Sequence, residues 1–232
     1  MKTSAFIFLI SFILLFGCKE VENDTCGAEE EKVITGTKIT DNEAKILIKN
    51  WIFEDFNPDM NPSIDFTVKE LTTDETWEKS GIQVFELEGD FPLAEMAVAI
   101  EDSNVYHLGA SYWDQVIESG SMVVADLDKD NINELYYPLT FGSGILRTII
   151  GGYSSSWNKK TLNSEIRFMF PTNYEITLMK DNCKVFVKYN DSSTDIKIGE
   201  LKIDESGNEY ILTIAFEDNI PDSVMKVVGG LD

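Results

Sequence analysis

The chain has 232 residues, of which 41 are acidic and 19 basic, and its formal net charge at pH 7 is −22. That excess of carboxylates argues against nucleic acid as a partner, because phosphate contact needs a basic surface, and against docking on anionic lipid headgroups through side chains. The length allows one sizeable domain or two small ones.

The first elements concern export. Met1-Lys2 precedes an apolar core from Ala5 to Phe16. This run is shorter than the about 20 residues that a spanning helix needs, and it fits a secretory signal. It ends in Leu15-Phe16-Gly17-Cys18, which resembles the lipobox of bacterial lipoproteins. Leu15 and Gly17 match that pattern, and Phe16 is bulkier than its usual residue. The resemblance implies removal of residues 1–17 and lipidation of Cys18, with palmitate among the acyl chains. The plainer alternative is a cleaved signal with an incidental cysteine.

Lys19-Glu20-Val21-Glu22-Asn23-Asp24 follows and resembles the surface-export signal of Bacteroidetes lipoproteins. It implies an outer-membrane anchor facing the cell surface. Residues 18–37, with Glu29, Glu30 and Glu31, read as an acidic tether. Cys26 and Cys183 remain, and in an oxidising compartment they can pair, which would staple the tether to the strand around Val185.

A single β-rich domain is expected over 38–220. Thr40-Asp41-Asn42-Glu43 has capping-box spacing and opens a helix of about 16 residues. Ala44, Leu47, Ile48, Trp51, Ile52 and Phe56 fall on one face, suited to packing on a sheet, and Asn57-Pro58 stops the helix. Strands are expected at 66–71 and 82–87 from their period-two alternation. Met96–Ile100 suits a strand or a short helix. Glu101 to Asn104 reads as a turn before the strand Val105 to Leu108.

Met122 to Ala125 then reads as a strand entering the acidic loop Asp126-Leu127-Asp128-Lys129-Asp130-Asn131-Ile132-Asn133-Glu134, and Leu135 to Tyr137 as a strand leaving it. Carboxylates at loop positions 1, 3, 5 and 9 converge when the backbone curls, and calcium takes six to eight oxygens. Over residues 121–140 the pattern resembles the Asp-rich loop of FG-GAP and VCBS-type repeats. That resemblance implies calcium held by Asp126, Asp128, Asp130, the carbonyl of Ile132, and Glu134. One position departs: Asn131 stands where the repeats usually carry glycine, and Asn tolerates the left-handed conformation best after glycine. One loop, where the repeats carry several, argues against a propeller and for a lone staple. The alternative is a solvated acidic turn without metal.

Strand signals resume at 145–150. Tyr153-Ser154-Ser155-Ser156-Trp157 places two rings in a small polar loop, where Tyr153 and Trp157 could stack on a sugar or one ring could fold onto the sheet. The last third reads as hairpins and could form its own lobe over 160–216. Ile196, Ile198, Leu201 and Ile203 slip parity after Gly199, and a β-bulge there would return all four to one face. Residues 221–232 read as a fraying tail. The expected architecture is mainly antiparallel β with one N-terminal amphipathic helix.

His107 is the only histidine. A zinc site of clustered His and Cys is therefore not offered, nor is a histidine-activated nucleophile, and no catalytic residue is assigned. Two functions are carried forward. The first is a non-enzymatic, calcium-stabilised surface module that binds glycan or protein. The second is an exported hydrolase, or an accessory subunit of a surface glycan-processing system, that uses a carboxylate pair.

Overall fold

The structure, a computed structural model, describes residues 34, 36–59, 65–89, 96–110, 121–141, 145–157, 161–164, 167–171, 175–190 and 195–220. The signal sequence, most of the tether, Cys18, Cys26 and the 221–232 tail lie outside the described residues.

Helix α1 (Asp41–Trp51) opens at the expected box: Thr40 N–H donates to Glu43 Oε2 at 2.8 Å, and Glu43 N–H donates to Thr40 Oγ1 at 3.4 Å. It lies some way into the chain and not at its N-terminus. Ala44, Ile48 and Ile52 are fully buried. The helix then widens into a π turn, Ile52–Phe56, in which Asn57 N–H donates to Ile52 O. An i→i+5 bond breaks the 3.6-residue phase. Phe53 therefore packs on the core while Phe56 is 38% exposed, contrary to the expected face.

A second helix, α2 (Asp74–Ser80), was not expected. Thr73 caps it by accepting from Thr76 N–H, and Gly81 ends it in the left-handed region at φ 74°, as a glycine after a C-terminus commonly does.

Thirteen strands form three sheets among the described residues. Sheet A runs in the order β1 (Phe66–Glu70), β2 (Gln83–Gly89), β3 (Met96–Glu101), β4 (Asn104–Ala110). The ambiguous stretch at 96–100 is thus a strand. Its turn to β4 places Asp102 and Ser103 at positive φ, as two-residue hairpins require. Sheet B runs β5 (Val123–Ala125), β6 (Glu134–Phe141), β7 (Ile145–Tyr153), β9 (Arg167–Pro171). Sheet C runs β10 (Glu175–Asp181), β11 (Lys184–Asn190), β12 (Asp195–Ser206), β13 (Glu209–Phe216), β8 (Thr161–Ser164). Every pairing is antiparallel except β13 with β8, so the mainly antiparallel expectation holds.

The layers are α1, sheet A, sheet B and sheet C. One face of sheet A packs on α1 through Phe85, Leu87, Val98 and Ile100. Its other face meets Val124, Leu135, Tyr137 and Leu139 of sheet B. Ala125, Tyr136, Ile150 and Phe168 point the opposite way, into the core shared with sheet C. Both faces of β6 are therefore covered, which explains why its sequence is a continuous apolar run and not an alternation.

The parity slip in β12 resolves as proposed from sequence. Val187 pairs with Gly199 and Lys188 with Lys197, leaving Ile198 as the inserted residue. Ile196, Ile198, Leu201 and Ile203 then share one core. A Cβ on Gly199 would lie 2.5 Å from the Ala215 carbonyl oxygen, so the close approach needs glycine.

Candidate metal centre

The acidic loop joins β5 to β6, with Ala125 and Glu134 as its closing pair. Its curl is set by its own side chains. Asp126 accepts from Asp130 N–H at 3.1 Å and from Asn131 N–H at 3.0 Å, and Asp130 accepts from Ile132 N–H at 2.7 Å. Lys129 and Asn131 both stand at φ 65°, so Asn131 takes the left-handed conformation that its position in the loop requires. Asn133 Nδ2 donates to the Lys79 carbonyl at 3.0 Å, which ties the loop to the C-terminal end of α2.

The result is a convergence of charge. One carboxylate oxygen from each of Asp126, Asp128, Asp130 and Glu134 lies within 4.8 Å of the others. Four carboxylates held this close repel one another unless protons or a cation intervene. The cluster could hold a metal ion. Ile132 occupies loop position 7, and its N–H donates to Asp130.

Glu134 distinguishes this cluster from a surface acidic turn. It is 0% exposed. Oε2 accepts from Leu127 N–H at 2.8 Å and from the Tyr136 hydroxyl at 2.9 Å. Oε1 has no partner, and is the one such buried side-chain oxygen or nitrogen among the described residues. An unsatisfied buried carboxylate oxygen is costly. Burial, the largest cause, lifts the Glu134 pKa to about 8; the hydrogen bond from Leu127 opposes the shift and the nearby Asp128 charge adds to it. Near neutral pH the acid is therefore mostly protonated when no cation is bound, and a cation would take the proton's place.

Asp128 is held from outside the loop. Its Oδ1 accepts from Asp130 N–H at 3.2 Å, and its Oδ2 accepts from the Trp157 indole N–H at 3.0 Å. Burial raises its pKa, the indole bond opposes this, and the charges of Asp130 and Asp126 raise it further.

Of the two rings at 153–157, Trp157 is the one that folds inward, as the second of the two readings has it. Trp157, in the 3₁₀ turn Ser155–Trp157, is 5% exposed and packs against Tyr210 at a centroid distance of 5.2 Å. It cannot stack on a ligand, because its face is spent on the core between sheets B and C. Tyr153 is half-buried, lies 4.7 Å from the Tyr106 ring and donates its hydroxyl to Glu101 at 3.0 Å. Its pKa is raised, chiefly by burial and then by hydrogen bonding to Tyr106. His107 lies on β4, with its ring centroid 5.3 Å from Phe56 and 6.4 Å from Trp51, and burial lowers its pKa. Cys183 is disulfide-bonded. A pairing with Cys26 falls outside the described residues, as does the lipidation of Cys18.

Two supports of the site were not read from sequence, Tyr136 and Trp157. Tyr136 carried a signal: it lies two residues after Glu134, on the same face of β6 as the carboxylate. Trp157 carried none, since its neighbours are serines and its burial arises from sheet C. The chain matches no protein-family model, no curated protein and no solved structure.

Proposed function

We propose that this protein is an exported, lipid-anchored β module in which a calcium ion in the 126–134 loop staples the sheets, displayed at a bacterial outer membrane to bind glycan or a surface protein without chemistry of its own. The observation that carries the cation is the unpartnered oxygen of a fully buried Glu134 amid three converging aspartates. The donors are all oxygens, on a short loop rather than a rigid octahedral cage, which suits calcium better than magnesium. Asp126, Asp128, Asp130, Glu134 and the Ile132 carbonyl would be its ligands. Bound cation would also offset part of the −22 charge.

The anchor rests on Leu15-Phe16-Gly17-Cys18 and the acidic stretch behind it. Cys18→Ala is expected to move the protein from the membrane fraction to the soluble one, and a variant that still carries lipid contradicts the anchor. For the binding surface, the exposed rings among the described residues include Phe56, Tyr106 and Phe216, with His107 beside Phe56. They offer the flat apolar faces on which sugars or protein side chains pack.

The site itself is tested by Asp130→Asn. Asp130 is exposed, and the amide can still accept from Ile132 N–H, so the fold loses little while the loop loses one charge. Calorimetric titration is expected to show calcium affinity reduced by about tenfold or more, as removal of a charged ligand oxygen implies. Unchanged affinity would remove Asp130 from the ligand set.

A further inference from the structure

We propose that Trp157 is the positioning residue of the cation site and the link by which its occupancy reaches the C-terminal sheet; this rests on the cation reading above. A buried indole N–H needs an acceptor, and here that acceptor is Asp128 Oδ2 at 3.0 Å. With Oδ1 taking Asp130 N–H, the Asp128 carboxylate is fixed from both sides. Partners that orient a ligand in this way typically matter about 10–100-fold in metal affinity.

The ring is as constrained as the N–H. Its centroid lies 5.2 Å from Tyr210 on β13 and 6.5 Å from Tyr136 on β6. Tyr136 in turn donates to Glu134. Two of the four carboxylates therefore lead, along separate hydrogen bonds, into one cluster of three buried rings. Tyr210 sits between β12 and β8 in sheet C, far from the loop in sequence. The same 3₁₀ turn also reaches sheet A, where the Ser155 hydroxyl donates to Glu101 at 3.1 Å. A cation that fixes Asp128 fixes the indole, and the indole fixes the seat of Tyr210.

Calcium titration and amide hydrogen exchange on the whole chain test this, using wild type, Trp157→Phe and Tyr210→Leu. In wild type, calcium is expected to slow exchange both in the loop and in Glu209–Phe216. Trp157→Phe keeps a ring but loses the donor. It is expected to weaken calcium binding by about 10–100-fold and to lower the melting temperature more in calcium than in chelator; a purely packing role would lower both equally. Tyr210→Leu keeps the donor but removes a ring that seats the indole, and is expected to lose the calcium-dependent slowing in Glu209–Phe216 with a smaller loss of calcium affinity than Trp157→Phe. Wild-type affinity in a folded Trp157→Phe, or unchanged exchange in Glu209–Phe216 while wild type binds calcium, overturns the proposal. A wild type that takes up no calcium overturns the cation reading as well. If Trp157→Phe does not fold, the wild-type and Tyr210→Leu exchange data decide.

Discussion

Glu134→Gln is expected to abolish the calcium response and, in chelator, to leave the protein more stable than wild type at high pH. The glutamine carbonyl can still accept from Leu127 N–H and the Tyr136 hydroxyl, so the substitution removes the charge and the unpartnered oxygen while keeping the acceptor in use. Burial places the folded-state pKa of Glu134 at about 8, against an ordinary 4.5. Between those values the folded protein holds a proton that the unfolded chain releases. Its contribution is therefore most favourable below the unfolded pKa, declines as pH rises through the window at about 1.4 kcal/mol per unit, and is fully lost above the folded pKa. Calorimetric melts in chelator at pH 6 and pH 9 should show the variant's advantage growing with pH. A difference that does not change with pH would mean that Glu134 ionises as an ordinary carboxylate.

Phe85→Ala is expected to have the largest cost to stability, about 3–5 kcal/mol, and to leave the calcium increment untouched. Phe85 is 0% exposed and fills the core between sheet A and α1. Sheet B separates that core from the Trp157 cluster, and distant sites with no shared partners add independently. Calcium at ten times its dissociation constant adds about 1.4 kcal/mol, and wild type and variant should gain the same amount. Chemical denaturation with and without calcium measures both. A variant that loses the calcium increment would show that the two cores unfold as one coupled unit around the ion.

What the sequence revealed here was mostly local. The Thr40–Glu43 box and the buried positions 44, 48 and 52 follow from neighbours within one turn, and they stand as expected. Phe56 broke the pattern because the π turn inserts a residue into the phase, which a 3.6-residue template cannot show. Helix α2 spans only Asp74–Ser80, too short to establish a period; its cap at Thr73 and its stop at Gly81 were the readable marks. The Gly199 bulge was legible because four apolar residues demanded a common face.

The loop divides in the same way. Its four acidic positions are spaced along nine residues, and Asn131 takes the left-handed conformation its place requires. The burial that singles out Glu134 is not local. It comes from β6 lying between sheets A and C, which no window around residue 134 contains. Trp157 is a parallel case: its serine-rich neighbourhood left both a stacking ring and a ring folded onto the sheet open. Packing on Tyr210 from sheet C, which no local window contains, decides for the folded ring.

The most direct measurement is calorimetric titration of the wild-type chain with calcium and with magnesium, in buffers of different ionisation heat near neutral pH. Calcium is expected to bind at one site, with a dissociation constant of about 10⁻⁴–10⁻³ M, more tightly than magnesium. The heat should depend on the buffer, because the ion displaces the proton that Glu134 holds below its raised pKa. No saturable calcium binding across that range would reduce residues 126–134 to an acidic turn, and binding without proton release would remove Glu134 from the site.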